Sequence, residues 1–301
     1  MTTTTAAYTI GRPQVAGPLA VYPVLGPPPA LNYLGLTEAI KLGACVKELD
    51  EGASVRQVIV ENPTDLPILI YEGEQIKGAQ QNRSVDTSIL VPAKSGIPVP
   101  VSCIEQGRWE GGRHSEPFTV SEHTADPALR AVKREHSHRP GSGGRPDQGR
   151  VWSEVGTRLG AFSVASSTDS LEDLFAMRSH RIEELRRPLA LTPGQIGAVV
   201  EISGRPVALD LVSRSSVYAA LSAALNSGYA LQAANAEPAK PDHERAARFL
   251  AKAVDSKHKL AANNGLGHAF TFSRTRMIGA GIEHDGELVA VSAFPRESAV
   301  N

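Results

Sequence analysis

Glu72 and Glu74, at the end of the apolar run 66–71, are the first residues here whose types and spacing suggest chemistry. On an extended strand Ile68, Ile70 and Glu72 share a face by the period of two, and Glu74 joins them if Gly73 is also extended. Two carboxylates at the rim of an apolar face can have their pKa values pushed apart for acid–base work. They equally offer oxygen ligands to a divalent cation. A charged strand end doing no chemistry is the competing reading. Behind Gly78 come Gln80, Gln81, Asn82 and Arg83, three amides and a guanidinium in a row. The arginine fork suits a carboxylate or phosphate and the amides can read a base or sugar edge, against the plainer reading of a solvated turn. A third run places Val99, Val101, Cys103 and Glu105 on one strand face, followed by Gln106, Arg108 and Trp109. Cys103, in line with two valines and with no base near it in sequence, reads as a small buried hydrophobe rather than a nucleophile. Trp109 reads as a core plug before a stacking platform.

These residues need strands to carry them. The segments 55–60 and 66–71 flank turn chemistry at 61–65 and are expected to form a hairpin. Further strands are expected at 88–91 and 99–105, and Leu19–Leu25 is stopped by Gly26 and three prolines. Thr37 is a cap for a short helix that Gly43 ends. Past Gly112 the pattern turns helical. Asp126 and Pro127 open a helix through Val132, and 136–149, rich in Gly, Pro and charge, is expected to be a mobile surface loop. Val151, Trp152, Val155 and Leu159 keep helical spacing. So do Leu171, Leu174, Phe175, Ile182 and Leu185, in one helix started by Asp169 with Glu172 and ended by Pro188. Its Arg178, Arg181, Arg186 and Arg187 read as a solvated face. A hairpin is expected across Gly204 and Arg205. Next come a helix carrying Val217 to Leu225, broken at Gly228, and one capped by Asp242. The chain closes with a hairpin over 276–294. The fold class is α+β, with a β-rich start, a helical middle and late hairpins. One intertwined domain over 10–295 is expected, with 1–9 as a disordered tail.

Composition narrows the function. The 301 residues can bury a substantial core, and a net charge of -1 offers no global field for nucleic acid or an anionic membrane. Two cysteines, Cys45 and Cys103, are too few and too far apart for a disulfide framework or a four-ligand zinc site. That usage fits a reducing cytoplasm, and no stretch resembles a signal peptide or a membrane helix. Gly265-Leu266-Gly267 and Gly279-Ala280-Gly281 lack the full dinucleotide-binding spacing.

The chain resembles a prokaryotic family named for its association with ADP-ribosylglycohydrolases and rhodanese/phosphatase-superfamily proteins. The resemblance rests on Glu72-Gly73-Glu74, Gly78-Ala79 and Gln81-Asn82-Arg83, then Leu90-Val91-Pro92-Ala93, Ile97-Pro98, Val101-Ser102-Cys103 and Glu105-Gln106-Gly107-Arg108-Trp109. Looser matches at Val151-Trp152, Ser167-Thr168 and Phe294 extend it over residues 10–295. Lysine is usual in the family where this chain has Gln80. The family name implies a link with NAD-derived, ADP-ribose-containing metabolites. Taken together, Glu72, Glu74 and Glu105 are expected as acid–base or metal-binding carboxylates. Gln81, Asn82, Arg83, Gln106 and Arg108 are expected to bind a small phosphorylated or nucleotide-like ligand. The alternative is a non-catalytic ligand-sensing or protein-interaction module.

Overall fold

The computed structural model describes residues 7–256 and 258–296. The fold is α+β, and among the described residues its strands form sheets of nine, six and three. The nine-stranded sheet draws on both ends and the middle of the chain. Leu19–Leu25 pairs with Gly197–Ile202, which pairs with Arg205–Val212, then Glu287–Pro295 and Met277–His284 follow. His268–Arg274 and Lys259–Leu260 continue that edge, and Thr9–Ile10 and Gln14–Ala16 flank Leu19–Leu25. The run 197–202, GAVVEI, is buried along its whole length, Glu201 included, because both sheet faces are covered. Ala198 and Val200 face one core with Phe294 and the long helices, while Val199 faces another with Tyr22 and Phe249.

The six-stranded sheet runs Phe118–Thr124, Glu74–Gly78, Arg83–Val85, Ser95–Cys103, Gln57–Asn62, Cys45–Lys47. The three-stranded sheet sets Ile68–Ile70 between Ile89–Val91 and Leu34–Gly35. Seven helices are seen among the described residues. They are α1 (Leu36–Lys41), α2 (Pro127–Ser137), α3 (Gln148–Ala161), α4 (Leu171–Met177), α5 (Ser179–Arg186), α6 (Ser215–Ala233) and α7 (His243–Val254). None is long and apolar enough to cross a membrane. Asp126 caps α2 by accepting from the Leu129 amide, with Pro127 in the first turn, and Asp242 caps α7 in the same way.

Several local expectations change. The segments 55–60 and 66–71 do not pair. Gln57–Asn62 joins Ser95–Cys103, while Ile68–Ile70 joins Ile89–Val91 in another sheet, so the turn between them switches sheets. The turn residues signal a reversal but not the partner. Thr37 does not cap α1, which begins after Gly35 without a side-chain cap. Helix α2 runs to Ser137, so His136 lies inside it, and α3 begins at Gln148. The connection between them closes in successive hydrogen-bonded turns, such as Ser142 to Arg139 and Arg145 to Ser142. The helix expected over 171–185 divides at Arg178 into α4 and α5, and Ser170 rather than Asp169 caps α4. Gly228 does not break α6; a Cβ there would lie 2.8 Å from Thr124 Oγ1, so glycine lets α6 press against the Phe118–Thr124 strand. Order also begins before residue 10: Tyr8 is buried and Thr9 pairs with Leu25, while residues 1–6 of the expected tail lie outside the described residues.

Candidate functional site

The turn from Gly78 to Arg83 is held in place by hydrogen bonds made by Asn82, Arg108 and Glu105. Gly78 and Ala79 both have positive φ, 110° and 43°. The second is a costly conformation for a residue with a Cβ. Asn82 Oδ1 accepts from the Gly78 amide at 3.0 Å and from Arg108 at 3.1 Å, and Arg108 also reaches the Ala79 carbonyl at 2.8 Å. Glu105 closes the arrangement. Its carboxylate accepts from the Asn82 amide at 3.1 Å and from Thr168 Oγ1 at 2.9 Å, and pairs with Arg108 at 2.8 Å. Burial works to raise the Glu105 carboxyl, but the Arg108, Asn82 and Thr168 donors outweigh it and hold it below its ordinary value. Glu105 is thus kept as an anion.

Arg83 follows on the strand that pairs with Cys103 and is fully buried. Its guanidinium meets Glu48 at 3.3 Å and Gln81 at 3.3 Å, and Trp109, itself 50% exposed, covers it at 5.8 Å. Burial raises the Glu48 carboxyl, and Arg83 and the Gln80 amide oppose that. Three polar atoms here have no hydrogen-bond partner: Glu48 Oε2, Arg83 Nε and Gln80 Oε1. Leaving a buried polar atom unsatisfied costs about 1–3 kcal/mol. As many occur around α2, in Glu72 Oε1, Arg130 Nε and Arg134 Nε, and what sets this group apart is the half-exposed Trp109 beside it. Cys103 is buried beside Arg83, its thiol pushed up to about 12 by burial with Glu48 and Asp86 adding to the rise. Burial of this kind favours the neutral thiol over the nucleophilic thiolate.

Glu72 and Glu74 are parted. Gly73 turns at φ 89°, where a Cβ would lie 2.6 Å from Arg130 Cδ, and the Glu74 amide closes the turn onto the Tyr71 carbonyl. Glu72 accepts from Arg134 at 2.8 Å and from the Ser292 hydroxyl. Glu74 instead accepts the Tyr71 amide at 2.6 Å beside Leu36, Val217 and Leu221, and burial raises it from 4.5 to about 7. The geometry therefore does not bring the two to one cation. No group of three or more His, Cys, Asp or Glu placed to hold a metal occurs among the described residues.

Helix α2 supplies what sequence reasoning missed. Arg130, Lys133 and Arg134 share one face at i, i+3 and i+4, and all three are buried. Arg130 meets Asp210 at 3.0 Å, where Tyr71 and Tyr229 also donate. Lys133 meets Asp86 at 2.8 Å and the Ser84 and Val85 carbonyls. Arg134 meets Glu72 and the Asp86 carbonyl. A cationic helix face ordinarily reads as solvated, and only the partners on distant strands reverse that reading. Of the expected residues, Gln81, Asn82, Arg83, Glu105 and Arg108 converge. Gln106 is exposed and joins only through its carbonyl, which accepts from Gln81 at 3.5 Å. Glu72 lies in the α2 network and Glu74 in a separate apolar niche. Glu48, Thr168 and the half-exposed Trp109 complete the convergent group; Trp109 is not the core plug expected of it.

No curated protein and no solved structure shows significant similarity to this sequence. The profile of the ARG and Rhodanese-Phosphatase-superfamily-associated Protein domain matches residues 7–294. That span is nearly the whole sequence, and the chain belongs to this family.

Proposed function

We propose that the chain binds a small phosphorylated or nucleotide-like ligand where the Gly78–Arg83 turn meets Glu105, Arg108 and Trp109. The observation that carries this reading is the cluster of unsatisfied Glu48 Oε2, Arg83 Nε and Gln80 Oε1 near a half-exposed tryptophan. A fold retains such a cost where the unmet hydrogen-bonding capacity serves a ligand. Trp109 is the movable cover and a surface on which a base can stack. With Trp109 displaced, Arg83 meets the ligand's anionic group, Arg108 supplies a second cation, and the amides of Gln80 and Gln81 read the attached group. The choice of an ADP-ribose or NAD-derived ligand comes from the family name, and a cytoplasmic setting from the cysteine usage.

A second reading, non-catalytic ligand sensing, is favoured by one specific feature. Glu72 is committed to Arg134, and Glu74 is sealed among apolar side chains, so neither faces the Trp109 cluster. Glu105 and Glu48 are the carboxylates at the site; the oxygens of Glu105 are engaged by protein donors and Glu48 is paired with Arg83. Calorimetric titration with ADP-ribose, ADP and NAD tests the proposal, with Arg108→Met and Trp109→Ala beside the parent protein. Binding by the parent that weakens tenfold or more in both variants is expected. Equal affinity in all three proteins refutes the site, and product formation on incubation would move the reading from sensing to catalysis.

A further inference from the structure

Far along the chain from that site, a cavity of about 370 Å³ opens between α7 and the tight turn joining His268–Arg274 to Met277–His284. Its size is that of a small-molecule pocket. One face of α7 presents Arg245, Arg248 and Lys252 at i, i+3 and i+7, and the turn adds Arg274 and Arg276. All five are exposed, while Phe249 and Met277 give the cavity an apolar lining. The whole chain carries a net charge of -1, so this is a local concentration of cations rather than a sample of a basic surface. Two of the five are answered by their own helix, Arg245 by Asp242 at 3.1 Å and Arg248 by Glu244 at 3.2 Å. Arg274 donates to the Asp255 carbonyl. Lys252 and Arg276 make no ion pair at contact distance among the described residues. Packing does not demand this arrangement, because α7 docks through Ala246, Phe249, Leu250 and Ala253.

We propose that this cavity is a second ligand site, one that takes the diphosphate group of a small molecule. Like charges gathered from two elements repel one another, and a multiply charged anion between them removes that cost. Arginine forks match phosphate oxygens in paired contacts, and Lys252 adds a point charge. Nucleic acid is the poorer fit, since it draws on phosphate contacts spread along a strand whereas these cations surround one cavity. The inference does not rest on the Trp109 site.

Calorimetric titration of the full chain with inorganic pyrophosphate, at low ionic strength and without metal, tests it. The parent protein should bind one equivalent, and Lys252→Glu combined with Arg276→Glu should weaken binding tenfold or more. Both side chains are exposed, so the fold should persist; if the reversal does not fold, Lys252→Gln with Arg276→Gln must show the same direction. Titrating ADP into Trp109→Ala then separates a nucleoside diphosphate, which binds more tightly than pyrophosphate, from free diphosphate, which does not. Absence of binding, several weak equivalents, or an affinity indifferent to the charge changes overturns the proposal. So does binding lost in Trp109→Ala but kept in the reversal, or binding of a single-stranded oligonucleotide in place of pyrophosphate.

Discussion

Glu74→Gln has an effect that can be worked from the structure. Burial raises the Glu74 carboxyl from 4.5 to about 7, and the Tyr71 amide is the donor that opposes the rise. Between those two pH values the folded chain keeps a proton that the unfolded chain has lost. Stability from this group is therefore complete below the lower value, falls as pH rises through the window, and levels off above about 7. A rise of that size amounts to about 3 kcal/mol lost by neutral to alkaline pH. Glutamine has the shape of the protonated acid, still accepts the Tyr71 amide, and cannot ionise. The variant should thus gain on the parent protein as pH increases, by up to about 3 kcal/mol. Urea unfolding of both proteins at several pH values from about 5 to 8 measures the difference. Burial also lowers His123, His136 and His138, but they are common to both proteins and cancel. A stability difference that does not change with pH would refute the reasoning, because Glu74 would then be ionised in the fold throughout.

Arg134→Met strands Glu72 in the interior with the Ser292 hydroxyl as its remaining side-chain donor, and should cost about 3–5 kcal/mol in urea unfolding. Adding Glu72→Gln should recover part of that loss. Cys103→Ser should lower stability by about 1–3 kcal/mol, since a hydroxyl replaces a buried thiol, and leave ligand affinity as it was. Loss of binding or turnover with folding intact would instead make the thiol a participant. Arg83→Lys keeps the charge but loses the planar fork that reaches Glu48 and Gln81, so affinity should weaken by about 1–3 kcal/mol. Because Arg83 is fully buried, its melting temperature should fall as well.

The strands and caps were legible where a local rule decides them. The hairpin of Met277–His284 and Glu287–Pro295 turns at Asp285 and Gly286, both with positive φ, as the Asp-Gly pair foretells. Arg83 and Glu105 are brought together by the pairing of Arg83 with Cys103, which no local rule gives, because Ile89–Val91 between them joins another sheet. The ion pairs of α2 were not legible either. Arg130 finds Asp210 across 80 residues and Arg134 finds Glu72 across 62, and no spacing rule reaches that far. The split of Glu72 from Glu74 turned on the φ of Gly73, which the alternating pattern hides. Trp109 was misread for a related reason: an aromatic after a strand reads as core, and only the tertiary fold sets it half in solvent over Arg83.

The central claim is that a ligand enters where Trp109 covers Arg83, and the emission of Trp109 reports on it directly. The chain has two tryptophans, so Trp152→Phe leaves Trp109 as the sole indole. Titrating that protein with ADP-ribose, ADP and NAD should change the intensity or wavelength of emission saturably for at least one of them. Adding Arg108→Met should shift that titration to at least tenfold higher concentration. Emission that stays constant while calorimetry records binding would place the ligand elsewhere and contradict the account.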